Sequence, residues 1–169
     1  LDTVTIDEYF YEFDKFCEEN GLNIWIFSVG LDTYIKRILN NHSLEHIPFY
    51  SNKLTIDSDN NLIPEFPHTD EECSQCANCK RNHIIANSSD TDITIYIGDG
   101  YSDTCPAQYC DFIFAKASLL KYCEINRISY FPYNSFYDVQ KRLTQLLNKK
   151  RLKKRHQAEL KRKQVYLQG

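Results

Sequence analysis

No stretch of this chain approaches the roughly 20 consecutive apolar residues that a membrane-spanning helix requires, and no series of basic, apolar and small residues opens it as a secretory signal would. Methionine is absent altogether, so Leu1 is not expected to be the natural translation start. The seven cysteines, Cys17, Cys73, Cys76, Cys79, Cys105, Cys110 and Cys123, are odd in number and scattered, unlike a secreted disulfide framework. From these absences a chain without a membrane span, in a reducing, cytoplasmic setting, is the expectation. What remains is a globular composition: 169 residues, 42% hydrophobic and 14% aromatic, suffice for one packed domain.

Charge is divided unevenly. Residues 1–140 carry 9 Lys or Arg against 22 Asp or Glu, a net of −13, whereas residues 141–169 carry 11 against 1, a net of +10. The expected organisation is a core over residues 1–147 followed by a basic extension over 148–169. The run from Lys149 to Arg155 with Lys161–Lys163 can bind nucleic acid, an anionic surface or the acidic body, or can be a solvated helical extension. Only Tyr166 lies near it, so the interleaved aromatics of a single-strand-binding surface are missing and nucleic acid is not the expected partner.

Three polar motifs stand at the ends of apolar runs. Thr94–Ile97 leads into Gly98-Asp99-Gly100-Tyr101-Ser102-Asp103, where two carboxylates four residues apart can offer hard oxygen ligands to magnesium, or can simply belong to a polar turn. Ile24–Phe27 leads into Ser28-Val29-Gly30-Leu31-Asp32 before a helical pattern through Tyr34, Ile35, Ile38 and Leu39. A hydroxyl and backbone N–H groups there suit a phosphate, and the alternative is a serine or aspartate helix cap. Lys80 heads another helical stretch, where it can neutralise a phosphoryl oxygen or be an ordinary surface charge. Cys73-x-x-Cys76-x-x-Cys79 raises a zinc site, with His68, His83, Cys105 or Cys110 as a fourth ligand. The strong zinc signature is two separated Cys-x-x-Cys pairs, so reduced thiols without stoichiometric zinc are expected.

Taken in order, the Ser28, Lys80 and Asp99–Asp103 segments resemble motifs II, III and IV of the haloacid dehalogenase superfamily of phosphohydrolases. The resemblance is to the branch with phosphoserine phosphatase and the methionine-salvage phosphatases, and covers about residues 6–147. It extends to Ile6-Asp7, Ser51–Leu54, Pro64–Pro67, Cys76–Lys80 and Asp111–Ala115. It implies a magnesium-dependent phosphatase for a small phosphorylated metabolite, working through an aspartyl-phosphate. Ser28, Val29, Gly30 and Lys80 would hold the phosphoryl group, Ser28 and Lys80 as catalytic residues, with Asp99 and Asp103 at the metal. Members begin with a strand ending in Asp-x-Asp-x-Thr, and the expectation is that no such motif occurs here: Asp2-Thr3 lacks the strand and the second carboxylate, and Asp57-Ser58-Asp59 falls in a hairpin turn. The expectation is a chain whose first part is absent, with a non-catalytic binding module as the alternative. Without the central nucleophile strand, Ile24–Phe27 and Thr94–Ile97 would have unpaired ladder edges, and the chain would be poorly soluble or oligomeric.

The apolar spacing gives a helix from about Ile6 to Asn20 and a strand from Leu22 to Phe27. Phe16–Leu22 resembles Tyr122–Ile128, two equivalent helix-to-strand returns of the kind that βαβ units require. The fold class expected is therefore α/β, a Rossmann-like parallel sheet with helices on both faces. A small β excursion, Phe49–Asn52, Leu54–Ile56 and Leu62-Ile63, follows the second motif, and Ser135 with Asp138 caps a helix carrying Val139, Leu143, Leu146 and Leu147.

Overall fold

The aromatic spacing at residues 10–17 becomes helix α1 (Phe10–Glu19), which starts later than the pattern suggested. The structure, a computed structural model, describes residues 4–71 and 76–168. α1 stops where Gly21 takes left-handed backbone (φ 64°), so that the Leu22 N–H reaches back to the Cys17 carbonyl at 2.8 Å. The segment that resembled it ends α5 (Ala117–Ile125) in the same way: Arg127 has φ 53°, and the Ile128 N–H bonds the Cys123 carbonyl at 2.9 Å. The likeness between the two segments is thus a shared helix stop.

The chain divides into two compact units, Leu1–Ile6 with Cys17–His83 and Asp7–Phe16 with Ile84–Gly169, the division falling within α1 and α3 (Lys80–Ala86). In the first unit β1 (Ile26–Leu31) runs directly into α2 (Asp32–Asn41), then β2 (Phe49–Ile56) and β3 (Leu62–Glu65). β1 pairs parallel with β2, and β2 pairs antiparallel with β3. The hairpin is the expected excursion. Its turn is built by Asp57, whose Oδ1 accepts the N–H groups of Asp59 at 2.9 Å and Asn61 at 2.8 Å. β1 begins four residues later than Leu22 and continues through Leu31, which places Ser28 and Gly30 inside the strand and not beyond its end.

The second unit holds β4 (Ile95–Gly98), a 3-10 turn (Tyr101–Asp103), α4 (Thr104–Ala107), β5 (Phe112–Ala115), α5, β6 (Phe131–Pro132), α6 (Phe136–Leu147) and α7 (His156–Gln168). Its sheet is wholly parallel, in the order β4-β5-β6. Ile113, Phe114 and Ala115 are fully buried, as the central strand of a parallel sheet requires. Leu119 and Cys123 of α5 and Val139, Leu143 and Leu146 of α6 are buried with them. α6 opens as expected, the Asp138 carboxylate accepting the N–H groups of Asn134 and Ser135.

The protein is α/β with parallel strands, but the single sheet anticipated from the sequence is two three-stranded sheets among the described residues. β1 and β4 each have one ladder neighbour there, β2 and β5 respectively. No described helix is long and apolar enough to cross a membrane.

The basic tail departs from the solvated extension considered above. α7 has little apolar surface, yet Arg162 is 3% exposed, its Nη2 placed 3.1 and 3.2 Å from the two oxygens of buried Asp111. Arg162 Nη1 also donates to Thr94 Oγ1, and Arg155 donates through its side chain to the carbonyls of Ala107 and Gln108. Ion pairing therefore anchors this helix where the apolar stripe runs out.

Candidate active site

Ser28, Val29 and Gly30 lie where β1 and β2 fall out of step. Phe27 pairs with Tyr50 and Leu31 with Asn52, so three residues of β1 face one of β2. Such a bulge orphans backbone groups, which cannot stay unpaired in the interior. Two asparagines supply the donors. Asn78, fully buried, gives one amide proton to the Ser28 carbonyl at 2.7 Å and the other to the Tyr50 carbonyl at 3.0 Å, while Asn52, 2% exposed, reaches the Val29 carbonyl at 2.8 Å. On the bulge itself Ser28 Oγ accepts the Gly30 N–H at 3.0 Å, leaving the hydroxyl proton to donate to an anion. The serine is not a helix cap: Leu31 holds that position in α2 without a side-chain bond. Asp32 bridges to the hairpin, its Oδ1 accepting the Leu54 N–H at 3.1 Å, and its hydrogen bond with Lys36 lowers its pKa.

Lys80 opens α3 two residues after Asn78 and is 8% exposed, unlike the solvated surface charge that its position in the sequence allowed. The segment before it is fixed by the Cys79 N–H on the His68 carbonyl at 2.7 Å and by His83 Nε2, 2.5 Å from Asn78 Oδ1. Both Asn78 amide protons are committed to carbonyls, so the network assigns the donor proton to His83 Nε2. His83 stacks on the Tyr50 ring at 4.1 Å, and burial, then the neighbouring His68, pulls its pKa down to about 4.

That depression has a stability consequence. The unfolded imidazole takes a proton near pH 6.5 and the folded one near 4, so stability from this group is complete above pH 6.5 and falls as the pH drops towards 4, by about 3 kcal/mol. Thermal denaturation of His83→Gln is expected to lose that part of the pH dependence. A slope between pH 4.5 and 6.5 equal to that of the unaltered protein would contradict it.

In the second unit the acidic turn treats its two aspartates differently. Asp103 is 6% exposed and committed on both oxygens: Oδ1 accepts the Tyr96 hydroxyl at 2.7 Å, and Oδ2 the N–H groups of Asp99 at 3.0 Å and Gly100 at 2.9 Å. Burial, then the charge of Asp103, raises the Tyr96 pKa well above the ordinary phenol range, so this hydroxyl stays a donor. Asp99 is exposed, and no hydrogen bond or ion pair of its carboxylate is seen among the described residues. A carboxylate free to ligate, on a turn held by its neighbour, suits a hard cation that keeps several waters and takes one or two protein oxygens. Tyr133 comes within 3.4 Å of the Gly98 carbonyl through its hydroxyl, and burial, then Asp99, raises its pKa.

Gly98 makes this turn possible. A Cβ there would stand 2.7 Å from Asp103 Oδ2, closer than side chains tolerate. Gly98→Ala is expected to expel the Asp103 carboxylate, lower stability by about 1–3 kcal/mol and weaken magnesium binding. Calorimetric titration with magnesium and a melting curve check it, and unchanged values for both would remove Gly98 from this role.

No protein-family model matches the chain. Among curated proteins, the 2-hydroxy-3-keto-5-methylthiopentenyl-1-phosphate phosphatases of Bacillus cereus (strain ATCC 10987 / NRS 248) and Bacillus thuringiensis (strain Al Hakam) are each 33% identical over 152 residues, covering 89% of this chain and 68% of theirs. That of Bacillus cereus (strain B4264) is 32% identical over the same length. The chain belongs to this phosphatase family.

Within that family frame, the residues singled out from the sequence fall into two sets. Ser28, Val29, Gly30 and Lys80 belong to the first unit, Asp99 and Asp103 to the second. The sequence reading missed Asn52 and Asn78 as parts of the phosphate candidate. Their signal was an amide inside an apolar strand run and another just ahead of the lysine. It also passed over Asp90-Thr91-Asp92-Ile93-Thr94, which spells Asp-x-Asp-x-Thr. The structure sets these residues in a turn and an extended lead-in to β4, not after a strand: Asp92 accepts the Ser89 N–H, and Thr94 donates to Asp111. Of the cysteine trio, Cys73 lies outside the described residues, Cys76 is partly exposed and Cys79 is buried. Among the described residues no three His, Cys, Asp or Glu come together as a metal group.

Proposed function

We propose that this chain serves a phosphomonoester hydrolase of the haloacid dehalogenase type, acting on a small phosphorylated metabolite. The substrate named for its relatives is the first to test. The observation that carries the reading is the bulge at Ser28–Gly30: its carbonyls are tied inward, its serine proton is left to donate, and the buried Lys80 follows from the asparagine that ties it. Ser28 hydrogen-bonds a phosphoryl oxygen, the Val29 N–H faces the same anion, the Gly30 N–H holds Ser28 Oγ in place, and Lys80 offsets charge on the transferring group.

Asp99 would hold magnesium, which when bound supplies charge neutralisation at the phosphoryl group. Asp103 shapes the turn and orients Asp99, its own oxygens being occupied by protein donors. A carboxylate nucleophile, in the aspartyl-phosphate route, divides the hydrolysis into two easier steps, and none of the residues assigned here has that part.

Ser28→Ala and Lys80→Ala test the reading. In an enzyme that carries the carboxylate nucleophile, each is expected to lower turnover of 2-hydroxy-3-keto-5-methylthiopentenyl-1-phosphate by roughly 10²–10³-fold, the usual effect of removing one preorganised donor, while far-ultraviolet circular dichroism stays unchanged. Normal turnover in both variants would refute it.

A further inference from the structure

The two buried asparagines do more than satisfy stray carbonyls. In a trans peptide the C=O of one residue and the N–H of the next lie in one plane and point in opposite directions. Asn78 holds the Ser28 carbonyl, and so directs the Val29 N–H away from itself. Asn52 holds the Val29 carbonyl, and so directs the Gly30 N–H the other way, where it meets Ser28 Oγ. From this geometry we infer that Asn52 and Asn78 are positioning residues, which orient the two successive peptide planes of the β1 bulge: Asn78 so that the Val29 N–H is offered to an anion, and Asn52 so that the Gly30 N–H holds Ser28 Oγ and leaves the serine proton for the same anion. The inference deepens the proposed function and rests on its assignment of phosphate to this bulge.

The orientation of both amides is forced. Each nitrogen lies against a backbone carbonyl, which can only accept, so neither side chain can be turned over without setting oxygen against oxygen. Asn78 is anchored in turn by His83, itself packed between Tyr50 and Phe27. Because Asn78 stands two residues before Lys80, the same side chain links the bulge to the start of α3. A single amide therefore couples the backbone part of the phosphate candidate to its cation, within one unit of the chain.

Inorganic phosphate is the probe. In amide-resolved NMR of the chain, phosphate is expected to shift the Val29 N–H signal directly and the Gly30 N–H signal through Ser28 Oγ. Asn78→Asp places a carboxylate against two carbonyls and should weaken phosphate at least about tenfold at pH 7.5, the cost of roughly one buried donor. On acidification the introduced carboxyl gains a proton and one donor, so its deficit relative to the unaltered chain at the same pH should narrow towards pH 5, which a merely structural lesion would not do. Asn52→Asp, touching only the Val29 carbonyl, is expected to behave alike and decides the matter if Asn78→Asp does not fold. In the unaltered protein, ¹⁵N spectra should find His83 in its Nε2–H form.

Phosphate affinity within about twofold of the unaltered chain in the aspartate variants overturns the inference and leaves the phosphatase reading standing. So does an Nδ1–H His83, since Asn78 would then be oriented the other way. Absence of phosphate binding by the unaltered chain overturns the phosphatase reading, and this inference with it.

Discussion

Asp99→Asn is expected to abolish magnesium binding and, in an enzyme that carries the carboxylate nucleophile, to reduce phosphatase turnover by several orders of magnitude. The amide is nearly the same shape as the carboxylate but carries no charge, and a neutral oxygen is a poor ligand for a cation that gives up its water reluctantly. The fold should not change. Asp99 is exposed, its side chain is not part of the turn's hydrogen bonds, and its backbone N–H on Asp103 is retained in the variant. Asp103→Asn should behave differently. It replaces one acceptor oxygen with a donor facing protein donors, either the Tyr96 hydroxyl or the two turn N–H groups, and so should cost stability as well as metal affinity. Calorimetric magnesium titration with parallel melting curves separates the two outcomes. Undiminished magnesium binding in Asp99→Asn would remove this residue from the metal site.

The largest stability effect is expected at the opposite end of the second unit. Arg162→Leu leaves Asp111 buried without its guanidinium partner, and breaking a buried pair from one side typically costs about 3–5 kcal/mol. Asp111 also holds the Thr94 backbone N–H at 3.0 Å and hydroxyl at 2.9 Å and the Arg155 N–H at 3.0 Å. The pair therefore joins α7 to the lead-ins of β4 and β5. Removing both charges, in Arg162→Leu with Asp111→Leu, should be less damaging than the sum of the two single changes, because no uncompensated charge remains. Thermal and urea denaturation read this directly. A single variant within about 0.5 kcal/mol of the unaltered protein would show that the tail is not anchored by this pair.

Much of the architecture was legible because it is written in local patterns. The helix stops at Gly21 and Arg127, the polar turn around Asp57 and the capped start of α6 all depend on residues within a few positions of one another. The boundaries of β1 were not legible, since the apolar run Ile24–Phe27 ends before the strand does and only pairing with β2 carries it through Leu31. The part that Asn52 and Asn78 play at the bulge was not legible for a related reason. Their partners are 23 and 50 residues away in sequence, and a buried amide gives no periodic signal. The same holds for Arg162, whose buried partner is 51 residues distant and whose sequence neighbours are all typical of a solvated basic run. The two aspartates of the acidic turn were visible as a pair, whereas their division into one exposed and one committed carboxylate required the Tyr96 hydroxyl and the close approach at Gly98.

The account stands most directly on phosphate being held at the β1 bulge with Lys80 as its cation. Calorimetric titration of inorganic phosphate into the unaltered chain, Ser28→Ala and Lys80→Ala is the decisive measurement. One phosphate per chain is predicted, with affinity at least about tenfold lower in each variant and heaviest loss in Lys80→Ala, where the charge-assisted contact is removed. Equal affinity in all three proteins, or no binding to the unaltered chain, would contradict it.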